Sequence, residues 1–256
     1  MTPPLHLLLA HGLVRMAATV FVALGVMVFS IKAAQAETVR VWVYHNFPPF
    51  VIDVDTQSGL SYDFARELTV RSDGQHDFVV EVLPRARLNR QMADGAEGIV
   101  FWANPVWFGD KEETKYLWSS KITSDSSVVM SRVDDPIEYT GPQSLLGMEL
   151  VGIEGHRYIG VDELVQEGLM TRKDLHAESS AVQFISTGRG RVAILARSAA
   201  DYFTRKLALT DMIHFASTPH SSYTRHVLVP KADFALRGYI DQVLDELNKS
   251  PIWRAV

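Results

Sequence analysis

Thr38-Val39-Arg40-Val41-Trp42-Val43-Tyr44 alternates β-branched and aromatic residues at period two and runs into the turn-prone Phe47-Pro48-Pro49-Phe50. That pattern predicts a strand leading into a loop. After Gly59, Leu60, Phe64, Leu68 and Arg71 recur at helical spacing, so a helix over 60–71 follows the strand. A second strand is predicted over Asp77–Leu83, a helix over Arg85–Ala93 closed by Gly95, and a short apolar strand over Ile99–Trp102. Strand, helix, strand, helix, strand is the pattern of an α/β layer with crossover helices.

The pattern returns after residue 149. Glu149–Ile153 reads as a strand leading through Glu154-Gly155-His156-Arg157 into a helix near 161–167. A helix over 180–187 ends at Gly188 and Gly190, and Arg191–Ala196 is the next strand. Ser124–Arg132 and Tyr223–Val229 are extended runs without a crossover helix. Phe234–Asn248 sets Leu236, Ile240, Val243, Leu244 and Leu247 on one helical face. The expected fold class is α/β, with two α/β lobes joined by two extended crossings.

Residues 1–36 bear on location. Arg15 precedes an uncharged run from Met16 to Ile31, and Ala34-Gln35-Ala36 has the small-x-small form of a signal-peptidase site. The expectation is a signal peptide cut after Ala36. The rival reading is an uncleaved anchor, for which about 16 apolar residues fall short of the roughly 20 that cross a bilayer. Removing Arg15 and Lys32 from the 25 basic residues leaves 23 against 30 acidic ones, a net of −7. Nucleic acid and anionic membrane are poor partners for such a surface. The chain has no cysteine, which excludes a thioether-linked lipoprotein and leaves packing to hold the fold. A freely diffusing protein of the Gram-negative periplasm fits these features.

In order along the chain, the export segment, the opening strand with Phe47-Pro48-Pro49-Phe50, the Gly59 helix, the Arg87–Gly95 helix, Leu117-Trp118-Ser119, Leu146-Gly147 with VGIEGHRY, and GRVAILARSAADY resemble the family 3 extracellular solute-binding proteins. These are the periplasmic receptors of polar amino acid ABC importers, and the resemblance covers nearly all of the chain after Ala36. It implies the type II periplasmic binding protein fold, with lobe 1 at 37–121 and 223–256, a hinge at 122–126 and lobe 2 at 127–222. Members that bind α-amino acids usually carry a carboxylate-clamping arginine six residues before a Phe-Ser pair. The matching place here is Glu112. An acidic residue usually holds the ligand ammonium about eight positions after the glycine of a GRVDA-like run, and that place is Ser198. The departures weaken a plain α-amino acid ligand and leave the fold expectation intact.

The candidate ligand-binding residues are Tyr44, Phe47, Arg85, Arg87, Asn104, Trp107, His156, Arg157, Arg197 and Ser198. Tyr44, Phe47, Asn104 and Trp107 lie past strand ends, where loops face an α/β cleft. Arg85 and Arg87 open a helix, and Gly155-His156-Arg157 follows a strand, where backbone N–H groups receive anions. Arg197 ends the RVAILA strand. Each of these cations is either a cleft residue or a solvated surface charge. If Arg87, His156, Arg157 and Arg197 all point inward, the cleft is cationic and suits a small polar, carboxylate-bearing ligand. Trp42 is expected in the core.

The histidines show no metal-ligand spacing, and neither Ser126 nor Ser198 sits in a nucleophile elbow. No metal, cofactor or catalytic residue is expected. The resemblance implies a monomeric solute-binding protein that closes on its ligand and presents it to the membrane permease of an ABC importer. A sensor signalling to a membrane receptor is the first alternative. The second is an enzyme resembling the cyclohexadienyl dehydratases, for which Asp110, Glu112 and Glu154 are the available carboxylates.

Overall fold

The computed structural model describes residues 36–250 and Trp253. The expected export signal falls, except for Ala36, outside the described residues. Among the described residues ten strands form one sheet, eight of them in the order β2-β1-β3-β10-β5-β8-β6-β7, with β4 beside β10 and β9 beside β5. They span β1 Glu37–Val43, β2 His76–Val82, β3 Ile99–Ala103, β4 Leu117–Trp118, β5 Thr123–Arg132, β6 Glu149–Ile153, β7 Thr171–Leu175, β8 Val192–Ala196, β9 Ile213–Phe215 and β10 Ser221–Val229. Six α-helices accompany them among the described residues: α1 Leu60–Arg71, α2 Arg85–Ala93, α3 Val161–Gln166, α4 Glu178–Ser186, α5 Arg197–Lys206 and α6 Phe234–Leu247.

The period-two alternation sorts side chains onto the two faces of each sheet half. In the first half, Val41 and Val43 pack with Phe64 and Leu68 of α1 and with Ile240 and Leu244 of α6. Trp42, one residue out of phase, packs on the other face against Leu88 of α2 and Val100. In the second half, Val129, Leu150 and Ile194 meet Val161 and Leu164 of α3. Val128, Met130, Val151 and Leu195 meet Ala181, Val182 and Ile185 of α4. Each fully buried aliphatic side chain contributes roughly 1.5–3 kcal/mol by leaving water.

β10 belongs to both halves. Its C-terminal part pairs antiparallel with β3 and β4 through His226, Leu228 and Val229. Its N-terminal part, Ser221–Arg225, pairs with Ser127–Thr123 of β5. β5 then continues into pairing with β8. The two extended runs in the sequence are thus the two crossings between the halves, and they are hydrogen-bonded to each other.

Three short elements differ from the sequence expectation. Thr171–Leu175 is polar, yet it forms edge strand β7 because β6 offers a parallel partner along all five of its residues. Arg197–Lys206 is a helix whose buried face is made of Ala199, Ala200 and Thr204, small residues that give little apolar signal. Ile213–Phe215 pairs with the end of β5.

Two loops of the first half are held by identifiable contacts. The Leu60 and Ser61 N–H groups at the start of α1 donate to the carbonyls of Pro49 and Phe50 at 2.9 and 3.0 Å, which seats the aromatic loop on the helix. Gly59 sits at φ 121°, and a Cβ there would lie 2.8 Å from both Ile52 N and Phe50 O. Asp110 closes the following loop: its buried carboxylate accepts from the N–H groups of Thr114, Lys115 and Tyr116 and from Trp118 Nε1. Burial opposes its charge, but these four donors outweigh burial and hold the carboxyl below its usual pKa.

Two outcomes follow. Gly59→Ala forces a residue with a side chain into a positive-φ position against backbone, so urea unfolding is expected to show a loss of more than about 1 kcal/mol. Unchanged stability would remove the seat assigned to Gly59. Asp110 has a lowered folded pKa, so its contribution is present above the unfolded value near 3.9 and is lost as pH falls through the folded one. Asp110→Asn is expected to cost roughly 2 kcal/mol at neutral pH. That deficit should narrow as the solution is acidified, and a deficit independent of pH would count against the ionised carboxylate.

Candidate functional site

Where β5 and β10 cross between the halves, Asp125 and Arg225 form an ion pair with side chains only 5% and 1% exposed. Tyr223 lies directly opposite Asp125, and Arg225 is two residues further along β10, so all three reach the same face. Arg225 donates from Nη2 to Asp125 Oδ2 at 2.9 Å and from Nε to the same oxygen at 3.3 Å. Its guanidinium carbon lies 4.4 Å from the Phe50 ring centroid, 5.1 Å from Tyr223 and 5.5 Å from Trp107. Cation–π attraction grows as water is excluded, and this guanidinium is enclosed on several sides by rings.

Both halves contribute to this box. From the first half, His45 Nε2 lies 3.0 Å from Arg225 Nη1. A guanidinium only donates, so that nitrogen accepts, and the His45 ring is neutral with its proton on Nδ1. Burial first, and then the Arg225 charge, hold the His45 pKa well below its usual value. The Trp102 carbonyl accepts a long bond from Arg225 Nη1 at 3.4 Å. Trp102 sits at φ 60°, uncommon for so bulky a residue, at the register shift between β3 and β10. Its indole is pinned to Ser61 Oγ at 2.8 Å. From the second half, Ser198 at the start of α5 donates Oγ to Asp125 Oδ2 at 2.8 Å.

Asp125 and Ser198 also form part of the wall of a cavity of ≈ 430 Å³. Phe50, Leu60 and Trp102 line it from the first half, Ile122, Thr123 and Ser124 from the crossing, Arg197 and Asp201 from the second half, and Trp253 from the C-terminal segment. Lys121 joins the lining and has no carboxylate partner among the described residues. Arg197 is paired with Asp201 at 2.8 Å and packs over Phe215, 4.4 Å from its ring centroid.

The sequence candidates fall into three groups. Phe47 and Trp107 stand with His45 at ring distances of 5.5 and 5.7 Å, and the Tyr44 ring lies tilted against it at 4.1 Å. Among the described residues the buried Tyr44 hydroxyl has no hydrogen-bond partner, and burial pushes its pKa up to about 12. Ser198 and Arg197 reach the cavity, Arg197 from the first residue of a helix and not from a strand end. Arg85 is engaged elsewhere, donating to the Trp107 carbonyl at 2.6 Å and lying over Phe108 and Tyr44. Asn104 uses both ends of its amide on the backbone, to Thr224 O and from Val106 N. Arg87 and Arg157 are exposed and make no ion pair among the described residues. The His156 N–H is already bonded to Ile153 O at 3.0 Å, and α3 begins only at Val161, so the Gly155 loop is not the helix-start cradle expected. Arg172 fixes that loop by donating to the carbonyls of Ile153 and His156.

Asp125, Arg225, His45 and Lys121 were absent from the sequence candidates. A legible signal existed in opposite charges placed in two otherwise extended, uninterrupted runs. Of the carboxylates considered for acid–base work, Asp110 is tied up by four donors, Glu112 is exposed, and Glu154 bonds His176 at 2.6 Å. None of them lines the cavity. Among the described residues no group of three or more His, Asp or Glu gathers to hold a metal, and no helix is long and apolar enough to cross a membrane.

No family model and no curated protein matches the sequence. Solved structures match it with high probability. An ancestral arginine-binding protein bound to arginine aligns with a TM-score of 0.65 and 14% identity over 86% of this chain and 96% of that one. The GluR0 ligand-binding core in complex with L-glutamate aligns at 0.64 and 14%, over 87% and 96%. A mutant of the arginine-binding protein ArgBP from T. maritima aligns at 0.63 and 19%, over 88% and 94%. A histidine kinase sensor domain similar to periplasmic binding proteins, and an ancestral amino acid-binding precursor of cyclohexadienyl dehydratase, align at 0.60. At such identities the likeness establishes the fold, in agreement with the strand order and the double crossing. The chain has the two-lobed α/β fold of the type II periplasmic binding proteins.

Proposed function

We propose that this chain captures a small polar, carboxylate-bearing solute outside the cytoplasm by closing its two lobes, and presents the closed form to the permease of an ABC importer. In this reading lobe 1 comprises 37–121 and 223–256, residues 122–126 are a hinge strand, and lobe 2 comprises 127–222. The observation that carries it is the ≈ 430 Å³ cavity whose wall is drawn from both halves of the sheet and from the crossing strand. That volume lies in the range of small-molecule sites. Lys121 supplies an ammonium with no carboxylate partner among the described residues, and Phe50, Trp102 and Trp253 supply apolar surface for the body of the ligand. Closure requires a ligand that favours the closed form, and a cavity shared between lobes meets that condition. The export motif at 34–36 supports a periplasmic location.

Sensing is the second reading, favoured by the likeness to a histidine kinase sensor domain. It uses the same closure with a different membrane partner, and affinity capture from detergent-solubilised membranes would separate a permease from a receptor.

A thermal-shift screen of amino acids, di- and tricarboxylates and aromatic acids is the direct test. A ligand at 100 times its Kd is expected to add about 2.7 kcal/mol to the folded form. The shift should be lost in Lys121→Ala and retained in Arg87→Ala, whose side chain lies away from the cavity. Response to cationic solutes alone, or a carboxylate shift insensitive to Lys121, would overturn the assignment.

A further inference from the structure

The enclosure around Arg225 has every part of a guanidinium-binding site. A carboxylate faces two of its nitrogens, aromatic rings surround the planar carbon, and a neutral imidazole and a backbone carbonyl accept at the remaining nitrogen. Such a fork of donors and acceptors is matched by a guanidinium and not by an ammonium, which is a compact point charge without a plane. The acceptors are themselves positioned: Asp125 is held by Ser198, and the Trp102 carbonyl is aimed by a positive-φ backbone whose indole is anchored to Ser61. The groups that form the box come from loops of the first half, from both crossing strands and, through Ser198, from the second half.

We propose that Arg225 is a built-in ligand, its guanidinium filling a box that would otherwise receive a guanidinium-bearing solute and tethering the two halves around it. The chain then presents a closed cation at the centre of its crossing, leaves the neighbouring cavity for other chemistry, and rejects free guanidinium compounds because their place is taken. The assignment rests on the box alone. A failed solute screen would leave it standing, and its own failure would leave the solute reading standing.

The test is chemical rescue. Arg225→Ala is expected to melt well below the wild type, and millimolar methylguanidinium is expected to recover part of the loss, while methylammonium at the same concentration recovers none. The wild type should gain nothing from either. Equal effects of the two cations on the variant, no recovery by methylguanidinium, or an equal gain in the wild type would overturn the proposal. If Arg225→Ala does not fold alone, refolding yield in the two cations, read by near-ultraviolet circular dichroism, gives the same comparison. Arg225→Lys keeps the charge and most of the volume but loses the plane. It is expected to melt below the wild type, and wild-type stability in that variant would also defeat the idea.

Discussion

The Asp125–Arg225 pair is the constraint around which the rest of this structure is arranged. Taking two charges out of water is costly, and a buried ion pair contributes little net stability unless its remaining donors and acceptors are satisfied. Here they are satisfied by groups from distant parts of the chain: His45 after β1, Trp102 on β3, Ser198 at the start of α5 and three aromatic rings. Losing one partner would strand a charge at a cost of about 3–5 kcal/mol. The crossing strands must therefore keep their register, because a one-residue slip would turn Arg225 to the other face of β10. The same requirement explains the neutral state of His45, which must accept from a cation and cannot carry a proton on the nitrogen that does so.

Most of the architecture was legible in the sequence because it rests on periodicity. Val41, Trp42 and Val43 announce a strand covered on both faces, and the spacing of Leu236, Ile240, Val243, Leu244 and Leu247 announces the last helix. What escaped depends on partners. β7 is a strand because β6 lies beside it, not because Thr-Arg-Lys-Asp-Leu favours one. α5 buries alanines and a threonine, which carry little hydrophobic signal.

The site was less legible, for a related reason. Positions past strand ends point to Tyr44, Phe47 and Trp107, and the resemblance points to Ser198. The charges at the centre lie within strands. The resemblance directed attention to an arginine position occupied by Glu112 and an acidic position occupied by Ser198. In the fold, Ser198 bonds a carboxylate delivered by β5, and the enclosed arginine comes from β10. An arginine and a carboxylate do meet in this fold, but at positions other than those two, and they pair with each other. Distance in sequence, 100 residues between Asp125 and Arg225, hid a contact of 2.9 Å.

The shared membership of β10 has a consequence for how this molecule is made. β3 waits for a partner that is synthesised last, and α6, which covers the same sheet half, follows it. Contacts so far apart in the chain close slowly. Until that strand and helix are made, β3 lacks one of its two neighbours and the first half of the sheet lacks one of the layers over its core, so this half is completed by segments more than 100 residues downstream of β3.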